Sequence, residues 1–215
     1  MDYRRLVRLV VSLVSGSISV AIGLYFGRFI AGVAALPFAS SRQAIPFATG
    51  ISWWAFVGLI AGLALAFTAL SRSRVRFIAI SLLGFASGGG LAALLAMTGS
   101  ADRNAIAATL AVPLGGALAG LLMGVSARLG VRSVIVAIVG ALAMAIAAPH
   151  IAGSALPPRS LFDVLLSLIT GSTARSAADA GAVAANTFSL LVPGALIGAV
   201  LAALAPSEAG RSTSA

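Results

Sequence analysis

The chain has 215 residues, 60% of them hydrophobic and 9% charged, with a mean hydropathy of +1.10; soluble domains carry close to a quarter charged residues, so a separate soluble catalytic or nucleic-acid-binding domain is excluded. Zero Cys rules out disulfides, thiolate metal sites and Cys nucleophiles, and the single His150 cannot build a multi-His metal or haem centre, so no cofactor is expected. The formal charge of +9 comes from fourteen Arg, with no Lys, against five acidic residues. These Arg sit in short connections beside apolar segments, where they set orientation and meet anionic lipid head groups; the lipid bilayer, not nucleic acid, is the expected partner. The Arg-only, Ala- and Gly-rich usage suggests a GC-rich bacterial coding sequence.

Apolar runs of roughly 20 residues match the ~30 Å hydrocarbon core of a bilayer. Six such runs predict helices at about Leu9–Ile30, Ile51–Leu70, Phe77–Thr98, Ala105–Ser126, Ser133–Ile151 and Ala182–Ala205. The expected fold is therefore all-α: one integral membrane domain over residues 1–215, a polytopic bundle of six transmembrane helices. The first helix is read as retained, since its apolar run is much longer than the ~7–15 residues of a signal peptide core and Arg28 interrupts its end. The connections 71–76 (SRSRVR), 99–104 (GSADRN) and 127–132 (ARLGVR) are short, so consecutive helices are expected to be antiparallel neighbours. The connection Ala152–Gly181 is long. Within it, Pro157-Pro158 stops the fifth helix, and a capping box at Ser160–Asp163 with Gly171 beyond predicts a short interfacial helix near 160–170.

With a cytoplasmic N-terminus, nine Arg fall inside (Arg4, Arg5, Arg8, Arg72, Arg74, Arg76, Arg128, Arg132 and Arg211) and five outside (Arg28, Arg42, Arg103, Arg159 and Arg175). Both termini are therefore expected in the cytoplasm of a bacterial inner (plasma) membrane. Tyr25, Phe26, Trp53 and Trp54 would then form an outer aromatic belt.

Glycines four apart recur at Gly23/Gly27, Gly58/Gly62, Gly84/Gly88, Gly116/Gly120, Gly120/Gly124 and Gly194/Gly198, a spacing that lets helices approach closely in lipid. The even-numbered helices share GLIAG (58–62), GALAG (116–120) and GALIG (194–198). Three tandem helical hairpins related by duplication explain the similarity; so does chance in a chain this rich in Gly, Ala and Leu.

Helix-weakening residues fall near the centres of three spans: Gly88, Gly89 and Gly90 in the third, Pro113, Gly115 and Gly116 in the fourth, and Pro193 and Gly194 in the sixth. If those spans unwind at one depth, their freed amides and carbonyls resemble a discontinuous-helix substrate site, with Thr109, Asn186 and Thr187 above it. Helix packing alone is the simpler account of the same residues. No acidic residue lies inside a span, which argues against an enzyme built on carboxylates and against a proton relay. The expected function is a non-enzymatic permease or channel component for a neutral or anionic small solute, acting as a homo-oligomer or with a membrane-protein partner. The alternative is a structural or assembly subunit that packs its glycine-rich faces against another membrane protein.

Overall fold

A computed structural model describes residues 3–41, 44–68, 74–97, 101–151 and 180–205. These residues form six α-helices and no strand: α1 (Tyr3–Ala35), α2 (Ala44–Thr68), α3 (Arg74–Met97), α4 (Ala101–Ser126), α5 (Ser133–Ile151) and α6 (Ala180–Leu204). Each lies on one of the six apolar runs. The helices outrun those runs at several ends, most of all in α1, whose 33 residues rise roughly 50 Å. Its first turns carry Arg4, Arg5 and Arg8 beyond the apolar stretch. The expected loop at 99–104 is shorter than its polar composition implies, because α4 already begins at Ala101. The short helix expected near 160–170 and the rest of 152–179 lie outside the described residues.

Five helices contain segments long and apolar enough to cross a membrane: Tyr3–Phe38, Phe47–Thr68, Arg74–Leu91, Gly130–Ala147 and Asn186–Leu204. The apolar part described in α4, Val112–Ser126, is shorter. Large apolar side chains also cover the outer faces: Val14 and Ile18 on α1, Leu63 on α2, Leu83 on α3, Leu114 on α4, Ile138 on α5 and Phe188 on α6 are all exposed. A helix that is apolar both inward and outward is suited to lipid, since water would oppose the outer face.

The helices form a closed ring. Each packs against the next in sequence, and α6 returns to pack against α1. Glycine contacts give the registers. Gly23 meets Val57 and Gly27 meets Trp53 between α1 and α2; Gly50 meets Gly89 and Gly58 meets Ser81 between α2 and α3. Gly84 meets Ala119 and Gly88 meets Gly115 between α3 and α4, while Gly116 meets Gly140 and Gly124 meets Ser133 between α4 and α5. Gly16 meets Gly194 and Ser12 meets Gly198 across the closure from α1 to α6. In every pair one number rises as the other falls, so these neighbours are antiparallel.

Inside the ring, Val20 and Leu24 of α1, Val57 and Leu65 of α2, Phe77 and Phe85 of α3, Met123 of α4, Met144 of α5 and Ile197 and Leu201 of α6 belong to one contiguous apolar cluster. The centre of the ring is therefore packed with side chains from all six helices.

Chain reversal between α4 and α5 is local chemistry. The Leu129 N–H donates to the Gly124 carbonyl and the Arg128 N–H to the Val125 carbonyl, both at 3.0 Å, while Arg128 adopts φ 59°. This is a Schellman cap in which Arg occupies the left-handed position that glycine usually fills, and the buried Leu129 supplies its apolar contact. Gly130, at φ 58°, then turns the chain into a short 3-10 helix, Gly130–Arg132, ahead of α5.

Candidate functional site

The residues expected to weaken the spans do not break them. α3 is helical through Gly88, Gly89 and Gly90, α4 through Pro113, Gly115 and Gly116, and α6 through Pro193 and Gly194. Each glycine is instead a point of close approach to a neighbour. A Cβ on Gly88 would lie 2.8 Å from the Gly115 Cα, and one on Gly89 would lie 2.5 Å from the Gly50 carbonyl oxygen and 2.6 Å from Trp54 Cδ1. Gly116 packs on Gly140 and Met144, and Gly194 on Gly16 and Val20. Gly90 is the looser one, with Ile51 at 3.4 Å. The backbone of these turns stays helical, with Pro113 and Pro193 lacking an N–H of their own, and the space an unwound site would need is filled by the adjoining helix.

Nor do the eight residues share one depth. Gly27 packs on Trp53, the neighbouring Trp54 packs on Gly89, and Gly88 packs on Gly115, which brings these residues to one level of the ring. Gly194 is level with Gly16, eleven residues from Gly27 along α1, or roughly 16 Å of helix rise. Pro193 and Gly194 therefore sit well toward the end of the ring that carries Arg4 and Arg8. Counting along the sequence groups them because each is near the middle of its own apolar run; the registers show that α6 is displaced along α1.

The same displacement raises other residues into the upper layer. Carrying the α1–α6 register two turns beyond Gly16 and Gly194 sets Asn186 opposite Leu24 and Thr187 opposite Gly23. The Leu24 carbonyl accepts a hydrogen bond from Trp53 Nε1 at 3.1 Å. One layer thus holds Leu24 and Gly27 of α1, Trp53 and Trp54 of α2, Gly88 and Gly89 of α3, Gly115 and Gly116 of α4, Gly140 of α5 and Asn186 and Thr187 of α6. Asn186 and Thr187 are half-buried, and Ser189 donates to the Asn186 carbonyl at 2.9 Å. Thr109 is on α4, one turn before Pro113; its side chain lies outside the described residues, as does that of His150 in the last turn of α5.

The tryptophans do not form the lipid-facing belt that their place in the sequence suggests, for Trp54 is only 3% exposed. It stacks on Phe85 with ring centroids 6.0 Å apart. Trp53 covers Gly27 and caps a carbonyl of α1, so both indoles join helices inside the ring. Arg28 is likewise occupied: its guanidinium lies 4.4 Å from the Tyr25 ring centroid and 4.8 Å from that of Phe29. An aromatic face holds this cation near the end of α1.

Two contacts carry no signal in the sequence. Ser17 donates to the Leu191 carbonyl at 2.9 Å, fastening α1 to the turn of α6 that Pro193 weakens by lacking an N–H. Ser81 fits between Gly58 and Gly62 of α2. Its hydroxyl is fully buried without a hydrogen-bond partner, as is that of Ser12 opposite Gly198. Neither is predictable from one-dimensional spacing, because serine occurs throughout these helices.

The three related pentapeptides do occupy corresponding places. Gly58 and Gly62 face α3, Gly116 and Gly120 face α5, and Gly194 and Gly198 face α1, in each case the helix that follows around the ring. No family model matches the sequence, and comparisons with curated proteins and with solved structures return no similar chain.

Proposed function

We propose that this chain is a multi-pass protein of a bacterial inner membrane, crossing six times with both termini in the cytoplasm, and that it is a non-enzymatic permease or channel component for a neutral or anionic small solute. The observation that carries this reading is the layer of Asn186, Thr187 and Trp53 set among close glycine contacts of the ring. An amide and a hydroxyl, beside an indole whose N–H is held by the Leu24 carbonyl, give this layer polar groups that suit an uncharged or negatively charged solute, and the described helices offer no acidic side chain at that depth.

Passage requires one seam to part. Among the described residues, the nearest contacts of the glycines join five of the six helix pairs around the ring, and none of them joins α5 to α6. That seam is also the one joined by the long connection 152–179. Parting α5 from α6 would open the Asn186 layer from the side while leaving the glycine-sealed pairs intact. The packed centre represents the closed state.

Six helices form a small unit, so a homo-oligomer or a membrane-protein partner is part of the proposal, with contacts through the outer leucine and isoleucine faces. An assembly subunit would use those faces too, since the described glycine pairs are turned toward neighbours within the chain.

Purified protein in proteoliposomes, tested with glycerol by stopped-flow light scattering and with chloride by an entrapped fluorophore, examines the reading directly. Flux of at least one solute above that of empty vesicles, lowered several-fold by Asn186→Leu, is expected. Flux equal to empty vesicles for both, together with a stoichiometric partner on purification from native membranes, would replace it with the assembly role.

A further inference from the structure

A second site lies at the opposite end of the ring from the Trp53 layer, and nothing in the transport reading uses it. Tyr3, Arg4, Val7, Arg8 and Val11 of α1, with Phe67 and Thr68 of α2, line an open groove of about 360 Å³, a size typical of small-ligand sites. Helical spacing explains the lining. Positions 4, 8 and 11 and positions 3, 7 and 11 fall on one face of α1, so a stripe with two guanidiniums at its end becomes purely apolar within seven residues, roughly 10 Å.

The second wall is the end of α2. Phe67 is 59% exposed and its ring carries the Arg74 guanidinium 4.7 Å from the centroid, so a third cation borders the groove. Thr68 shares a 3.0 Å hydrogen bond with Ser15 and donates to the Ala64 carbonyl at 2.9 Å, which fixes α2 against α1 at the groove floor. Arg4, Arg8, Arg74, Arg76, Arg128 and Arg132 all lie at this end of the ring and give it a concentration of positive charge.

We propose that this groove binds one anionic phospholipid, with the phosphate held by Arg4 and Arg8 and the first part of an acyl chain lying along Val7, Val11 and Phe67. The charge and the shape require the same occupant. Paired guanidiniums match a phosphodiester through forked, charge-assisted hydrogen bonds, and a free anion would leave the apolar half of the groove unused. A zwitterionic lipid fills the apolar half but brings a positive group toward three Arg. The lipid's position bridging α1 and α2 predicts that it stabilises the closed ring.

Thermal unfolding of the full chain in neutral detergent tests this, with added phosphatidylglycerol, phosphatidylcholine of the same acyl chains, or inorganic phosphate. Phosphatidylglycerol is expected to raise the Tm by several degrees and the other two to have little effect. The Arg4→Gln/Arg8→Gln variant should need at least ten-fold more phosphatidylglycerol for the same shift, whereas Arg128→Gln/Arg132→Gln, which removes as much charge from the same end, should respond like the unaltered chain. An equal response from the Arg4/Arg8 variant overturns the site, and an equal loss in the Arg128/Arg132 variant reduces it to bulk charge attraction. A matching shift with inorganic phosphate alone or with phosphatidylcholine overturns the assigned ligand. Should the Arg4/Arg8 variant not fold, Val11→Trp keeps both cations and fills the apolar part of the groove; an undiminished response from it overturns the proposal as well. None of these readouts depends on solute flux.

Discussion

Gly16 of α1 and Gly194 of α6 touch backbone to backbone: a Cβ on either would strike the carbonyl oxygen of the other. This contact closes the ring, because among the described residues α1 and α5 are the major neighbours of α6. Gly194→Ala is therefore expected to cost about 1–3 kcal/mol of stability through overpacking against rigid backbone, measured by denaturant titration in detergent. Gly32→Ala supplies the contrast. Gly32 is in the same helix as Gly16, but a Cβ there would meet no atom within 4 Å, so alanine should stabilise α1 by up to about 1 kcal/mol through helix propensity.

Ser81→Ala should not weaken the protein. Its hydroxyl is buried between Gly58 and Gly62 without a partner, and removing an unsatisfied buried hydroxyl relieves a desolvation cost of about 1–3 kcal/mol. A rise in unfolding midpoint, or no change, is the expected result. A clear fall would mean that the hydroxyl bonds to a group this structure leaves apart.

The turn between α4 and α5 makes opposite predictions for its two left-handed residues. Arg128→Gly removes the steric cost of φ 59° for a side-chain-bearing residue, about 1 kcal/mol, partly offset by the greater freedom of glycine in the unfolded chain. Gly130→Ala adds that cost at φ 58°, and since nothing lies near its Cβ the whole loss of about 1–2 kcal/mol is conformational. Unfolding midpoints of the two variants should differ in that order.

Trp53→Phe preserves an aromatic ring over Gly27 but loses the donor to the Leu24 carbonyl, which α1 already uses within its own helix. A loss of about 1 kcal/mol is expected, with indole emission from the remaining Trp54 as the probe. Because Trp54 is buried against Phe85 and Gly89, its emission should stay blue-shifted in the folded variant.

Orientation is tested by single cysteines, since the native chain has none. With Trp53 and Trp54 placed inside the ring, the proposed orientation stands on the Arg asymmetry. A cysteine at Ser73 is expected to be protected from an impermeant thiol reagent in intact cells and one at Ser172 to react. The reverse labelling would place both termini outside.

The positions of the six helices were legible in the sequence because a helix in lipid must satisfy its backbone hydrogen bonds internally, so a long apolar run carries its own secondary structure. The run Ser133–Ile151 coincides with α5 at both ends. Short connections likewise implied antiparallel neighbours, and the ring has them. Glycine spacing announced close helix contacts, but not their partners: which face of a helix meets which neighbour depends on rotation and on every other helix around it. Only the tertiary structure decided that α6 closes on α1, that Gly194 lies roughly 16 Å from the level of Gly89, and that Trp54 is a core residue. The physical reason is that depth along one helix is a local quantity, set by about 1.5 Å per residue, whereas depth shared between helices is set by the registers in which their small residues interlock.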